Sequence, residues 1–89
     1  MQSKIVIYTK ANCSYCGFAK QLLDNKKVHY EEIRIDLDEA QRVMVEQKSG
    51  RRTVPQIFIN DQPIGGFDEL SALEKTGNLD TLLFNNKEK

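Results

Sequence analysis

Residues 5 to 16 read Ile5-Val6-Ile7-Tyr8-Thr9-Lys10-Ala11-Asn12-Cys13-Ser14-Tyr15-Cys16, and this stretch decides the fold. Its first half is a continuous β-branched run followed by Tyr8-Thr9, the composition of a central strand buried on both faces. Its second half carries the only two cysteines of the chain, three positions apart. Downstream, Phe18, Ala19, Leu22 and Leu23 recur at helical spacing, so residues 14 to about 26 read as a helix. The cysteines therefore sit where a buried strand hands over to a helix.

The same reading extends along the chain. Ile33, Ile35 and Leu37 alternate with Arg34, Asp36 and Asp38, the period of a second strand. Ala40, Val43 and Met44 give a second helical stripe that stops at Ser49-Gly50. Val54-Pro55 leads into a third strand, Ile57-Phe58-Ile59. Asn60-Asp61 supplies a turn, and Gln62 to Ile64 pair back as a short fourth strand. After Gly65-Gly66, the residues Phe67, Leu70 and Leu73 form a third stripe. Gly77 separates it from a short last helix with Leu79, Leu82 and Leu83. The order β-α-β-α-β-β-α opens with a βαβ crossover, whose strands run parallel, and closes with an antiparallel hairpin. An α/β fold follows, with a four-stranded mixed sheet and helices on both faces. With 89 residues the chain makes one domain, with a core over about 4–84 and a polar tail from Asn85 to Lys89.

The cysteine pair carries the chemistry. Cys13 falls near the N-cap of the first helix, where a side chain accepts hydrogen bonds from first-turn amides. A thiolate there gains from the positive end of the helix, and Lys10 is close in sequence. A free thiol with a pKa of about 8.5 is mostly protonated near neutrality. A shift of roughly three units, within the range of Cys-x-x-Cys sites, ionises it almost fully. Cys16 lies one turn further in, shielded and less acidic. Cys13 is thus the nucleophile and Cys16 the thiol that resolves a mixed disulfide. A Cys-x-x-Cys in a βαβ unit is a redox pattern. Structural zinc would want four ligands, and the chain offers two cysteines and one histidine, His29, which reads as a solvated residue.

Composition narrows the rest. Lysine plus arginine and aspartate plus glutamate are both 13, so the formal net charge is zero. That balance disfavours nucleic acid or an anionic membrane as the main partner. The N-terminal apolar run is too short for a signal-peptide core or a membrane span. The expected location is the cytoplasm, where a disulfide is catalytic or regulatory rather than a staple.

Four stretches in this order, Tyr8-Thr9-Lys10, Cys13-Ser14-Tyr15-Cys16, Thr53-Val54-Pro55 and Gly65-Gly66-Phe67-Asp68, resemble the glutaredoxins of the short bacterial dithiol type. The resemblance runs from about Ile5 to Phe84. It implies a thioredoxin-like fold, glutathione as co-substrate, and reduction of protein–glutathione mixed disulfides and protein disulfides. It implies a cis Val54–Pro55 bond, which turns the Val54 N–H and C=O toward Cys13 to pair with the ligand backbone as an added strand would. It places Lys10 and Arg42 on the glycyl carboxylate of glutathione and counts Thr53 and Arg52 among the glutathione-binding residues, with Arg52 supporting a carboxylate or equally lying in a solvated loop. Gly66 and Phe67 lend amides to the γ-glutamyl carboxylate, Asp68 holds the ammonium, and Tyr15 flanks the sulfur. Each has a plainer alternative: Arg42 on a solvated helix face, Asp68 as a helix N-terminal acid, Tyr15 and Pro55 as packing and strand start. Arg51 reads as a solvated loop residue.

Two positions depart from the family pattern. Ser14 stands where many relatives have proline, and Phe67 where several have a third cysteine. Some glutaredoxins with a Cys-Ser-Tyr-Cys site hold a [2Fe–2S] cluster between two subunits, so the resemblance also allows one here, with Cys13 as the protein ligand and glutathione completing it; no other metal site is expected. The expected state is otherwise a monomer. Disulfide-containing proteins, ribonucleotide reductase among them, are partners the resemblance implies. Two other readings compete. One is a redoxin served by thioredoxin reductase, against which the Lys10, Gly66 and Asp68 set argues. The other is a non-catalytic binding module, against which the intact dithiol argues.

Overall fold

In the computed structural model, which describes residues 2–84, the elements are β1 (Ile5–Thr9), α1 (Ser14–Asn25), β2 (Glu31–Arg34), α2 (Glu39–Ser49), β3 (Gln56–Ile59), β4 (Gln62–Gly65), α3 (Phe67–Thr76) and α4 (Asn78–Leu83). The expected tail, 85–89, lies outside the described residues.

The four strands form one sheet in the order β2-β1-β3-β4. β1 runs parallel to β2 and antiparallel to β3, and β3 and β4 form the antiparallel hairpin. The two central strands, β1 and β3, are buried at every residue. Strand alternation divides their side chains between two layers. Ile5, Ile7, Ile57 and Ile59 face a core shared with Ala19 and Leu23 of α1, Leu70 of α3, and Leu79 and Leu83 of α4. Val6, Tyr8 and Phe58 face the other side, where Val45 of α2 and Ile35 close a smaller core. The sheet thus carries helices on both faces in a thioredoxin-like arrangement.

The second strand is earlier than its alternation suggests. Pairing with β1 begins at Val6–Glu31 and ends at Thr9–Arg34, because β1 itself ends there. The chain then turns. The Leu37 amide donates to the Arg34 carbonyl at 3.2 Å, and the Leu37 side chain is 75% exposed. Asp36, instead of lying along a strand, takes the Arg34 guanidinium at 2.7 Å and the Ala11 amide at 3.3 Å. This bond ties the loop before Cys13 to the end of β2.

The stripe of α2 is also shifted. Val45 is the buried residue, while Ala40 is exposed and Val43 is 39% exposed. The helix begins one turn ahead of its apolar residues, at Asp38, whose carboxylate accepts from the Gln41 amide at 3.1 Å. Gly50 ends it in the left-handed region at φ 73°, a conformation that a side chain would strain. In α1, Ala19 and Leu23 are fully buried, but Phe18, read in the same apolar stripe, is 50% exposed.

Candidate functional site: a dithiol beside a carboxylate-lined cleft

The site grows from the end of β1. Thr9 is buried there and donates its hydroxyl to Glu32 on β2 at 2.7 Å, and Lys20 of α1 reaches the same carboxylate at 3.1 Å. Thr9 and Lys20 hold the Glu32 carboxyl below its ordinary range, the Thr9 bond first. The loop 10–12 crosses over and delivers Cys13 as the N-cap of α1 in extended geometry. Cys13 and Cys16 are joined as a disulfide, with their Cα atoms 5.2 Å apart. The Cys16 amide donates to Cys13 Sγ at 3.1 Å. Cys13 is half-buried and Cys16 is 3% exposed, so the two thiols differ in access.

Val54–Pro55 is cis, and Val54 faces the dithiol: its carbonyl oxygen lies 3.8 Å from Cys13 Sγ. From here a cleft of about 240 Å³ runs toward the start of α3. Tyr15, Thr53, Val54, Pro55, Gly66, Phe67 and Asp68 line it together, which brings together seven residues named from the sequence. Pro55 explains the close approach at Gly66, where a Cβ would come 3.2 Å from the Pro55 carbonyl oxygen. Tyr15, Phe18 and Phe67 pack as an aromatic cluster on one side, with ring centroids 5.8–6.2 Å apart.

The arginines fall differently from expectation. Arg42 is engaged on its own helix, with Glu39 at 2.7 Å and Glu46 at 2.6 Å, and does not line the cleft. Arg52 is 89% exposed, 3.8 Å from Glu46, and also lies outside the lining. Lys10 is exposed on the loop after β1 and is not among the lining residues. Arg51, read from the sequence as a solvated loop residue, is the cation that lines the cleft. It forms a two-point pair with Glu69, at 3.3 and 3.1 Å.

Two residues of this neighbourhood escaped the sequence reading. Glu69 accepts from the Gly66 amide at 2.8 Å while it holds Arg51. Both contacts push its carboxyl below the ordinary range, Arg51 first and the Gly66 amide second. Its signal was present: an acid three residues after a helix N-cap is half of a capping box. Gln56 is fully buried, and its Nε2 donates to the Thr53 carbonyl at 3.0 Å, bracing the chain across the cis bond. A glutamine at a strand start carries no such signal.

Known proteins place this arrangement. The glutaredoxin family profile matches residues 5–64. Glutaredoxin 3 of Escherichia coli is 51% identical over 81 residues, which is 91% of this chain and 98% of that protein. The solution structure of glutaredoxin from Brucella melitensis is 41% identical, with a TM-score of 0.84 over 99% of this chain and 96% of that one. A crystal structure of a buckwheat glutaredoxin–glutathione complex is 32% identical, with a TM-score of 0.84 over 91% of this chain and 76% of that one. With its cysteine pair, its thioredoxin-like sheet and these relatives, the chain belongs to the glutaredoxin family of glutathione-dependent thiol–disulfide oxidoreductases.

Proposed function

We propose that the protein reduces protein–glutathione mixed disulfides and protein disulfides, with Cys13 as nucleophile and Cys16 as resolving thiol. The observation that carries this reading is the placement of Cys13. It caps α1, receives the Cys16 amide and faces Val54 beside the cleft.

In the reduced protein the Cys13 thiolate attacks the glutathione sulfur of a mixed disulfide. The substrate leaves as its thiolate and takes up a proton, and Cys13 becomes glutathionylated. A second glutathione thiolate attacks the glutathionyl sulfur, expels the Cys13 thiolate and leaves as oxidised glutathione. With a protein disulfide, Cys13 first forms a mixed disulfide with the substrate. The Cys16 thiolate then attacks Cys13 Sγ, the substrate leaves reduced, and Cys13–Cys16 is oxidised. Two glutathiones return the pair to the dithiol.

In this reading the Val54 backbone pairs with the cysteinyl backbone of glutathione. The α3 first-turn amides, including that of Phe67, have no acceptor within the helix and suit the γ-glutamyl carboxylate. Asp68 meets the ammonium. Tyr15, Thr53 and Pro55 shape the walls. Arg51 takes the role given from the sequence to Arg42 and Arg52, because it is the guanidinium that lines the cleft. The glutathione complex of the buckwheat relative supports the choice of ligand. Cys13 and Cys16 stand within bonding reach, which favours exchange over a [2Fe–2S] role. A cluster would need Cys13 free and further ligands from a second chain and glutathione. Among the described residues no helix is long and apolar enough to cross a membrane. We place the protein in a reducing compartment, the cytoplasm, acting as a monomer on disulfide-containing proteins of the reductive-enzyme class such as ribonucleotide reductase.

The test is turnover of a glutathionylated peptide with glutathione or with 2-mercaptoethanol as the second thiol. Saturable, faster turnover with glutathione supports the reading. Equal rate constants for the two thiols overturn it.

A further inference from the structure

The start of α3 holds a carboxylate already. Arg51 is the one cationic side chain lining the cleft among the described residues. Both of its terminal nitrogens are turned onto Glu69, at 3.3 and 3.1 Å. The same carboxylate accepts the Gly66 amide at 2.8 Å. A guanidinium fork and a backbone N–H converging on two oxygens form the donor set that binds a ligand carboxylate. Here an internal side chain fills it. The place is built for that side chain. A Cβ on Gly65, which sits at φ 121°, would come within 2.8 Å of Glu69 Cγ and Oε1, so Glu69 lies flat across a glycine.

We propose that Glu69 sets the affinity of the cleft by neutralising Arg51, so that a carboxylate of glutathione must compete with Glu69 for that guanidinium. The inference rests on the glutathione reading above. Its electrostatics have a definite sign. A ligand carboxylate approaching the Arg51–Glu69 pair meets no net charge, whereas one approaching Arg51 alone meets a full positive charge. A purely structural Glu69 gives the opposite sign: its loss would loosen the helix start and weaken binding. Glutamine at this position separates the two. Its amide oxygen still accepts from the Gly66 N–H, so the helix cap is kept while the charge is removed.

The experiment measures KM for a glutathionylated peptide, whose glutathionyl group is the one that occupies the cleft, in wild type, Glu69→Gln, Arg51→Gln and the double variant. The rate constant for the same peptide carrying 2-mercaptoethanol as its mixed disulfide is a control that brings no carboxylate to the cleft. Thermal unfolding is followed in parallel, to show that each variant is folded. Glu69→Gln is expected to lower KM for the glutathionylated peptide about three- to five-fold, the size of a half-exposed charge pair. Arg51→Gln leaves an unopposed carboxylate in the cleft and raises KM by a similar factor. The double variant lies between the single variants, and the mercaptoethanol rate constant does not follow any of these changes. A KM that rises or stays constant in folded Glu69→Gln overturns the inference. So does a fall that mercaptoethanol shares. If wild type shows no preference for glutathione, it is the underlying functional reading that fails.

Discussion

The Cys13 sulfur lies 3.8 Å from the carbonyl oxygen of Val54, and the two residues meet where the end of β1 lies beside the start of β3. Cys13 arrives from β1 through the loop that Asp36 holds at Ala11. Val54 arrives from the α2–β3 connection, which Gln56 fixes at Thr53. The carbonyl suits a protonated thiol, which can donate to it. The Cys16 amide, at 3.1 Å, suits a thiolate. The helix adds the equivalent of about half a positive charge at its N-terminus, which sides with the amide.

The reduced Cys13 thiol is therefore expected to titrate well below the ordinary thiol value. The pH dependence of alkylation of the reduced protein measures this. Buried Cys16 reacts slowly enough to be separated from it. A Cys13 pKa at or above the ordinary value would contradict the N-cap account.

Asp68 is exposed at the start of α3, on the wall of the cleft. Its pairing with the glutathione ammonium is screened by solvent, so Asp68→Ala should raise KM for a glutathionylated peptide only about two- to five-fold. Steady-state kinetics over a range of glutathionylated-peptide concentrations reads this directly. An unchanged KM would remove the ammonium role and leave Asp68 as a helix N-terminal acid.

The Asp36 carboxyl is held down to about 2 from an ordinary 3.8, first by Arg34 and then by backbone amides including that of Ala11. A depressed carboxylate pKa contributes stability above the unfolded value, and that contribution is lost as pH falls through the folded value. Between about pH 4 and pH 2, wild type should therefore lose stability more steeply than Asp36→Asn, which has no proton to take up there. Urea unfolding midpoints measured across this window test the difference. Parallel curves for the two proteins would show that Asp36 is not coupled to the fold.

Much of this was legible in the sequence, and the exceptions share a cause. β1 and β3 announced themselves because a strand buried on both faces has no polar alternation. The N-cap cysteine followed from where the helical stripe begins. The end of β2 was misjudged because Ile33, Ile35 and Leu37 keep their alternation past the point where β1 stops offering a partner. The phase of α2 depends on which face meets Tyr8 and Phe58, a tertiary fact. Arg42 could have been placed: Glu39 and Glu46 stand three before and four after it, the spacing of intrahelical ion pairs. Which of Arg51 and Arg52 enters the cleft could not, since adjacent residues in a loop point apart by an amount that only the backbone path sets.

The most direct test compares Cys13→Ser with Cys16→Ser on two substrates, a glutathionylated peptide and a protein disulfide. The account predicts that Cys13→Ser loses both activities. Cys16→Ser keeps reduction of the mixed disulfide and loses reduction of the protein disulfide, because only the second needs a resolving thiol. Turnover that survives in Cys13→Ser, or both activities lost in Cys16→Ser, would contradict the assignment of the two sulfurs.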